Sequence, residues 1–174
     1  MVNSKRAIFL DRDGVLIKAP TIRNKPKSIK KLKELRFING VISFCNYYKR
    51  KNFLLIMVTN QPEVSRGKNS KKNVIEINNF IQQKLRLDDL FVCYSDDDKN
   101  FNRKPNPGMV LKSKSKHKLN LKKSYIIGDR WRDIGVAHNS GCISIFIERN
   151  YDEKMIFKPT HIVKKIRDIY KIIK

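Results

Sequence analysis

A chain of 174 residues is long enough for one domain with a real core and leaves little room for a second, so a single domain over residues 1–174 is expected. Hydrophobic residues make up 40%, yet no apolar run is long enough to span a bilayer. Met1–Arg6 leads straight into a strand-like stretch rather than a signal-peptide core, so a soluble, cytoplasmic, monomeric protein with no membrane partner is expected. A formal net charge of +23 and a pI near 10.1 imply either a surface that attracts phosphorylated small molecules or nucleic acid, or a composition biased toward Lys, Ile and Asn.

In chain order, Ala7–Leu10 is a short apolar run of strand type that stops at Asp11-Arg12-Asp13-Gly14. Lys18 to Arg36 holds Pro20, Pro26 and several charges without helical periodicity, and reads as an irregular excursion over the strand end. Val41–Lys49 repeats its apolar residues at three and four, as a helix with one buried face does. Phe53–Val58 is continuously apolar, the pattern of a strand covered on both sides, and ends at Thr59-Asn60-Gln61-Pro62. Lys71–Leu87 is an amphipathic helix, Leu90–Tyr94 a third strand, and Pro107–His117 a helix with proline in its first turn. Ser124–Gly128 is a fourth strand, followed by Asp129–Asp133 and a helix to Asn139. Cys142–Ile147 is a fifth strand, and Lys164–Lys174 a closing helix. Strands alternating with helices imply a mostly parallel sheet sandwiched between helical layers. Cys45, Cys93 and Cys142 are scattered, and read as reduced packing residues.

In such a sheet the carboxyl ends of the strands open on one edge, where ligands bind. Two acids spaced one apart, Asp11 and Asp13, can hold a hard cation through oxygen, and one of them can attack phosphorus. Thr59 and Asn60 offer a hydroxyl and an amide to phosphoryl oxygens, and Arg103 and Lys104 offer two cations beside Pro105. Asp129 and Asp133 lie one helical turn apart after the fourth strand. Singly, each has an ordinary explanation as an acidic turn, a helix cap or a surface lysine. Their joint occurrence, each after its own apolar strand or in a proline-stiffened loop, points to phosphate chemistry.

Phe9–Val15, Val58–Gln61, Arg103–Met109 and Gly128–Asp133 resemble the four motifs of the haloacid dehalogenase-like (HAD-like) hydrolases. More narrowly, they are similar to the D-glycero-D-manno-heptose 1,7-bisphosphate 7-phosphatases and histidinol-phosphate phosphatases. The likeness runs from about Arg6 to Ile147, and Gln61–Gly67 resembles the heptose branch. The resemblance implies an α/β HAD-like Rossmannoid three-layer sandwich without a large cap domain, and a Mg²⁺-dependent phosphomonoesterase acting through an aspartyl-phosphate. Asp11 would be the nucleophile and Asp13 the general acid and base. Mg²⁺ would be held by the Asp11 carboxylate, the Asp13 carbonyl and Asp129. Thr59 and Lys104 would bind phosphoryl oxygens, Asp133 would steady Lys104 or the metal shell, and Asn60, Arg66 and Arg103 are candidate substrate contacts. The substrate implied is a small sugar phosphate.

One segment departs from the heptose pattern, whose zinc loop carries Cys-x-His and Cys-x-Cys. Cys93 stands in place here, but Ser95, Asn100 and Asn102 occupy the other ligand positions. A structural zinc takes four N or S ligands, so no zinc is expected and the loop must be held by hydrogen bonds or packing. Asp96, Asp97 and Asp98 read as a solvated acidic turn. Two competing functions remain: a polynucleotide 3′-phosphatase, which shares the fold and would suit a basic surface, and a non-catalytic binding protein.

Overall fold

The computed structural model describes residues 4–174. Six strands form one sheet: β1 (Ala7–Leu10), β4 (Leu54–Asn60), β5 (Asp89–Cys93), β6 (Tyr125–Gly128), β7 (Ile143–Ile147) and β8 (His161–Val163). Their order is β5-β4-β1-β6-β7-β8, and every neighbouring pair is parallel. The order reverses around β1, which places the chain's first strand at the centre and its carboxyl end at the switch point where such sheets bind ligands.

Alternation along β1 divides the interior into two. Ile8 and Leu10 face a cluster built with α1 (Val41–Arg50) and α2 (Lys71–Leu85), through Phe44, Tyr48, Ile77 and Ile81. Ala7 and Phe9 face the other layer, with Met109 and Val110 of α3 (Gly108–His117) and Val136 and Ala137 of α4 (Trp131–Ser140). All four β1 residues are wholly buried. Burial of that kind contributes about 2 kcal/mol for each large aliphatic or aromatic side chain, so the strand carrying the acids is held rigidly from both faces.

Three features differ from the sequence expectations. The excursion after β1 contains a small antiparallel hairpin, β2 (Thr21–Ile22) and β3 (Lys25–Pro26), turning at Arg23 and Asn24, both with positive φ. The sheet has a sixth strand, β8, at its edge. The tail is not an α-helix over Lys164–Lys174 but a 3₁₀ segment, Ile166–Lys171, whose Ile166 and Ile169 pack under α1. Among the described residues no helix is long and apolar enough to cross a membrane.

Candidate active site

The carboxyl ends of β1, β4 and β6 bring Asp11, Thr59 and Asp129 to one edge of the sheet, all buried. The loop before α3 carries Lys104 into the same place. Its Nζ lies 2.6 Å from Asp11 Oδ1 and 2.6 Å from Asp133 Oδ1, and donates to the Val58 carbonyl at 3.0 Å. A buried ammonium with three acceptors is fully satisfied. Burial alone would lower the Lys104 pKa, but Asp11 and Asp133 outweigh it and the group stays charged, above the ordinary lysine range.

Asp133 serves two elements at once. It is the third residue of α4, where its Oδ2 accepts the Arg130 backbone N–H at 3.1 Å, while Oδ1 takes Lys104. Gly128 makes this approach possible, because a Cβ there would lie 2.0 Å from that of Asp133. Gly14 does the same for Asp129. Its φ is +86°, and a Cβ would lie 1.7 Å from Asp129 Oδ2.

Asp13 is locked by a network that the sequence did not announce. Its Oδ2 accepts from Arg12 Nε at 3.0 Å, Gln61 Nε2 at 3.0 Å and Ser28 Oγ at 3.1 Å. Arg12 is wholly buried, and its guanidinium also donates to Asn78 of α2 at 3.0 Å and to Gln61 Oε1 at 2.8 Å. Gln61 reaches on to Thr59 Oγ1 at 2.9 Å. One chain of hydrogen bonds thus fixes both the second acid and the hydroxyl across the site.

The donor set suits a divalent cation. Asp11, Asp129 and Asp133 each present a carboxylate oxygen within 4.8 Å of the others, all three buried. Asp129 Oδ1 is buried with no hydrogen-bond partner, whereas Asp133 has spent both oxygens. Burial pushes Asp11 up to about 6, against the pull of Lys104 and with the help of Asp133 and Asp13. Burial and the charges of Asp11 and Asp133 hold Asp129 well above the usual carboxylate range. Three buried acids crowded within ligand distance of one another, offering oxygen only, match Mg²⁺, whose charge offsets their repulsion.

The remaining predicted residues take other roles. Asn60 spends its amide on the backbone of Lys104, donating to its carbonyl at 3.1 Å and accepting from its N–H at 3.0 Å, and so positions the lysine. Arg103 is buried, donating to Asp98 Oδ1 at 2.9 Å and to the Ser95 carbonyl at 3.0 Å. Asp98 also takes Arg132 at 2.9 Å, and Asp96 pairs with Arg66 at 3.2 Å, so the acidic turn is ion-paired as well as solvated. Asn106 closes the loop by donating to the Asp98 and Asn100 carbonyls, both at 2.9 Å. Above the acids, a cleft of about 440 Å³ opens to solvent, lined among others by Lys25, Lys27, Arg66, Arg103, Arg130 and Arg132. Tyr151, Ser28, Arg130 and Arg132 also border the site, and nothing in the sequence marks them individually for it.

Comparison with known proteins identifies the fold and the family. Residues 6–133 match the family model described as polynucleotide kinase 3 phosphatase, and residues 101–169 match one described as HAD-hydrolase-like. The chain is 28% identical over 172 residues to a D-glycero-alpha-D-manno-heptose-1,7-bisphosphate 7-phosphatase of Campylobacter jejuni, covering 95% of this chain and 96% of the relative. It is 30% identical over 156 residues to the corresponding beta-heptose enzyme of Escherichia coli, covering 81% of this chain and 78% of that one. Among solved structures, the fold matches a D,D-heptose 1,7-bisphosphate phosphatase from B. bronchiseptica complexed with magnesium and phosphate. The TM-score is 0.77 at 20% identity, over 96% and 97% of the two chains.

Proposed function

The chain belongs to the HAD-like phosphatases, and from that premise we propose that it is a Mg²⁺-dependent phosphomonoesterase acting on a small sugar phosphate, D-glycero-D-manno-heptose 1,7-bisphosphate at its 7-phosphate being the leading candidate. The observation that carries this reading is the Lys104 ammonium held 2.6 Å from both Asp11 and Asp133, beside a third buried carboxylate with an oxygen to spare. Lys104 fixes positive charge next to the nucleophile before any substrate arrives.

Asp11 attacks phosphorus, and the bond to the leaving alkoxide breaks as the aspartyl-phosphate forms. Asp13 gives its proton to that alkoxide, then takes one from the water that hydrolyses the acyl phosphate, which returns Asp11 and releases phosphate. The chain Arg12–Gln61–Thr59 keeps Asp13 aimed and sets the Thr59 hydroxyl to contact a phosphoryl oxygen. Lys104 opposes the negative charge of the phosphoryl group throughout transfer, with little reorganisation because its own partners already hold it. Mg²⁺, held by Asp11, the Asp13 carbonyl and Asp129, would supply the charge neutralisation that lets one anion approach another. The basic cleft outside the acids suits a second phosphate on the same substrate. Zinc is not part of this reading: Asp98 with Arg103 and Arg132, and Asn106 with the loop carbonyls, do the bracing.

A nucleic-acid 3′-phosphate is the second reading, favoured by the family model that matches residues 6–133 and by the net charge of +23. The relatives that span nearly the whole chain support the sugar phosphate instead. Phosphate release from heptose bisphosphate, histidinol phosphate and a 3′-phosphorylated duplex, with Mg²⁺ and with EDTA, separates them. Turnover of the duplex alone, declining steeply with salt, would favour nucleic acid. No metal-dependent turnover of any phosphomonoester would leave a binding protein.

A further inference from the structure

The segment Arg149–Glu153, between β7 and β8, touches the site at three points. Arg149 Nε donates to the Gly14 carbonyl at 3.0 Å, the Tyr151 hydroxyl donates to Asp129 Oδ2 at 2.8 Å, and Glu153 pairs with the Arg130 guanidinium. The Asp152 backbone N–H also donates to the Asn24 carbonyl of the hairpin at 3.1 Å. Nothing in the active-site motifs calls for this segment, and it contributes no residue to the steps above.

The Tyr151 contact falls on the carboxylate that has an oxygen left over. Oδ2 of Asp129 is wedged between the Tyr151 hydroxyl and the backbone of Gly14, where a Cβ would meet Oδ2 at 1.7 Å and the Tyr151 oxygen at 3.0 Å. Oδ1 is buried and unpaired. With one oxygen tied and the flank closed, the carboxylate cannot turn without losing a hydrogen bond inside a buried site. Arg149 holds the other side of the wedge by fixing the Gly14 carbonyl.

We propose that Tyr151 is a positioning residue for the divalent cation: its hydroxyl holds Asp129 so that Oδ1, rather than Oδ2, is presented to the ion. This rests on the Mg²⁺ reading above, and it goes beyond it by assigning metal affinity to a residue outside every motif. Partners that hydrogen-bond a ligating carboxylate and orient it set metal affinity by about 10- to 100-fold.

The test is Mg²⁺ binding to the full chain by titration calorimetry, with wild type and Tyr151→Phe, which removes only the hydroxyl and keeps the ring. The expected result is a dissociation constant raised about 10-fold or more in Tyr151→Phe. The activation profile on p-nitrophenyl phosphate gives a second readout, with half-saturating Mg²⁺ raised in parallel, KM unchanged, and kcat largely restored at saturating Mg²⁺. Tyr151→Leu checks for packing: it should lower the melting temperature further than Tyr151→Phe without weakening Mg²⁺ binding further. Wild-type affinity within twofold in Tyr151→Phe overturns the proposal and leaves the phosphatase reading intact. A wild-type chain that binds no Mg²⁺ overturns both.

Discussion

Stability and magnesium are tied together through the buried acids, and the sign of that link can be worked out. Without metal, burial moves Asp11 from 3.8 up to about 6, and Asp129 is displaced in the same direction. A group whose pKa is higher in the folded than in the unfolded chain favours folding while it keeps its proton. For Asp11 that contribution is fully present below about pH 4 and is lost as the pH rises through about 6. For Asp11 alone the loss is about 3 kcal/mol, at about 1.4 kcal/mol for each tenfold step in proton concentration. In a domain of this size that corresponds to roughly 6–12 °C in Tm. Mg²⁺ binds the ionised carboxylates, so its stabilising effect runs the other way with pH. Melting curves near pH 5 and near pH 7.5, each with EDTA and with millimolar Mg²⁺, measure this as a difference of differences, in which groups remote from the site cancel. The Mg²⁺-induced rise should be small at the lower pH and about 5–10 °C at the higher. A rise equally large at both, or absent at both, would refute the assignment of the acids as a cation site.

Replacing Lys104 by Met leaves Asp11 and Asp133 buried without their cation. A loss of about 3–5 kcal/mol is expected near pH 7.5 and a smaller one near pH 5, where Asp11 regains its proton, read from denaturant unfolding at both values. Gly14→Ala drives a methyl into the Asp129 carboxylate at a left-handed backbone position. Mg²⁺ binding by calorimetry should fall below detection, with a stability loss of about 1–3 kcal/mol. Asp98→Ala releases both Arg103 and Arg132, but Asp98 is 64% exposed, so no more than about 1 kcal/mol is expected in thermal melts. Elemental analysis of the purified wild type should show no stoichiometric zinc, because three of the four positions in that loop hold Ser95, Asn100 and Asn102.

The central strands were legible because each is a continuous apolar run ended abruptly by polar residues, the pattern that burial on both faces writes into a sequence. The site acids were legible for the same reason, standing where those runs stop. What was missed depends on contacts that leave no local pattern. β8 is three residues long and begins with His161, after a stretch of mixed polarity with no period. The hairpin turns on Arg23 and Asn24, not on the Asn-Gly or Asp-Gly pair that signals such a turn. Arg12 reads as a surface charge inside a motif. The Asp13 carboxylate beside it, together with Gln61 from the loop after β4 and Asn78 from α2, makes a buried guanidinium tenable. Tyr151 sits in a polar segment, and its meeting with Asp129 arises from the path of the chain between two strands. Asn60 and Arg103 lie beside the acids, but their polar groups turn to Lys104 and Asp98 rather than standing free.

The most direct measurement is acid-quenched mass spectrometry of the enzyme caught during turnover of a phosphomonoester with Mg²⁺. One phosphoryl group on the peptide that contains Asp11, absent in Asp11→Asn and absent with EDTA, is the expected result. Active enzyme that carries no phosphoryl group under these conditions, or carries it on another residue, would contradict the assignment of Asp11 as the nucleophile.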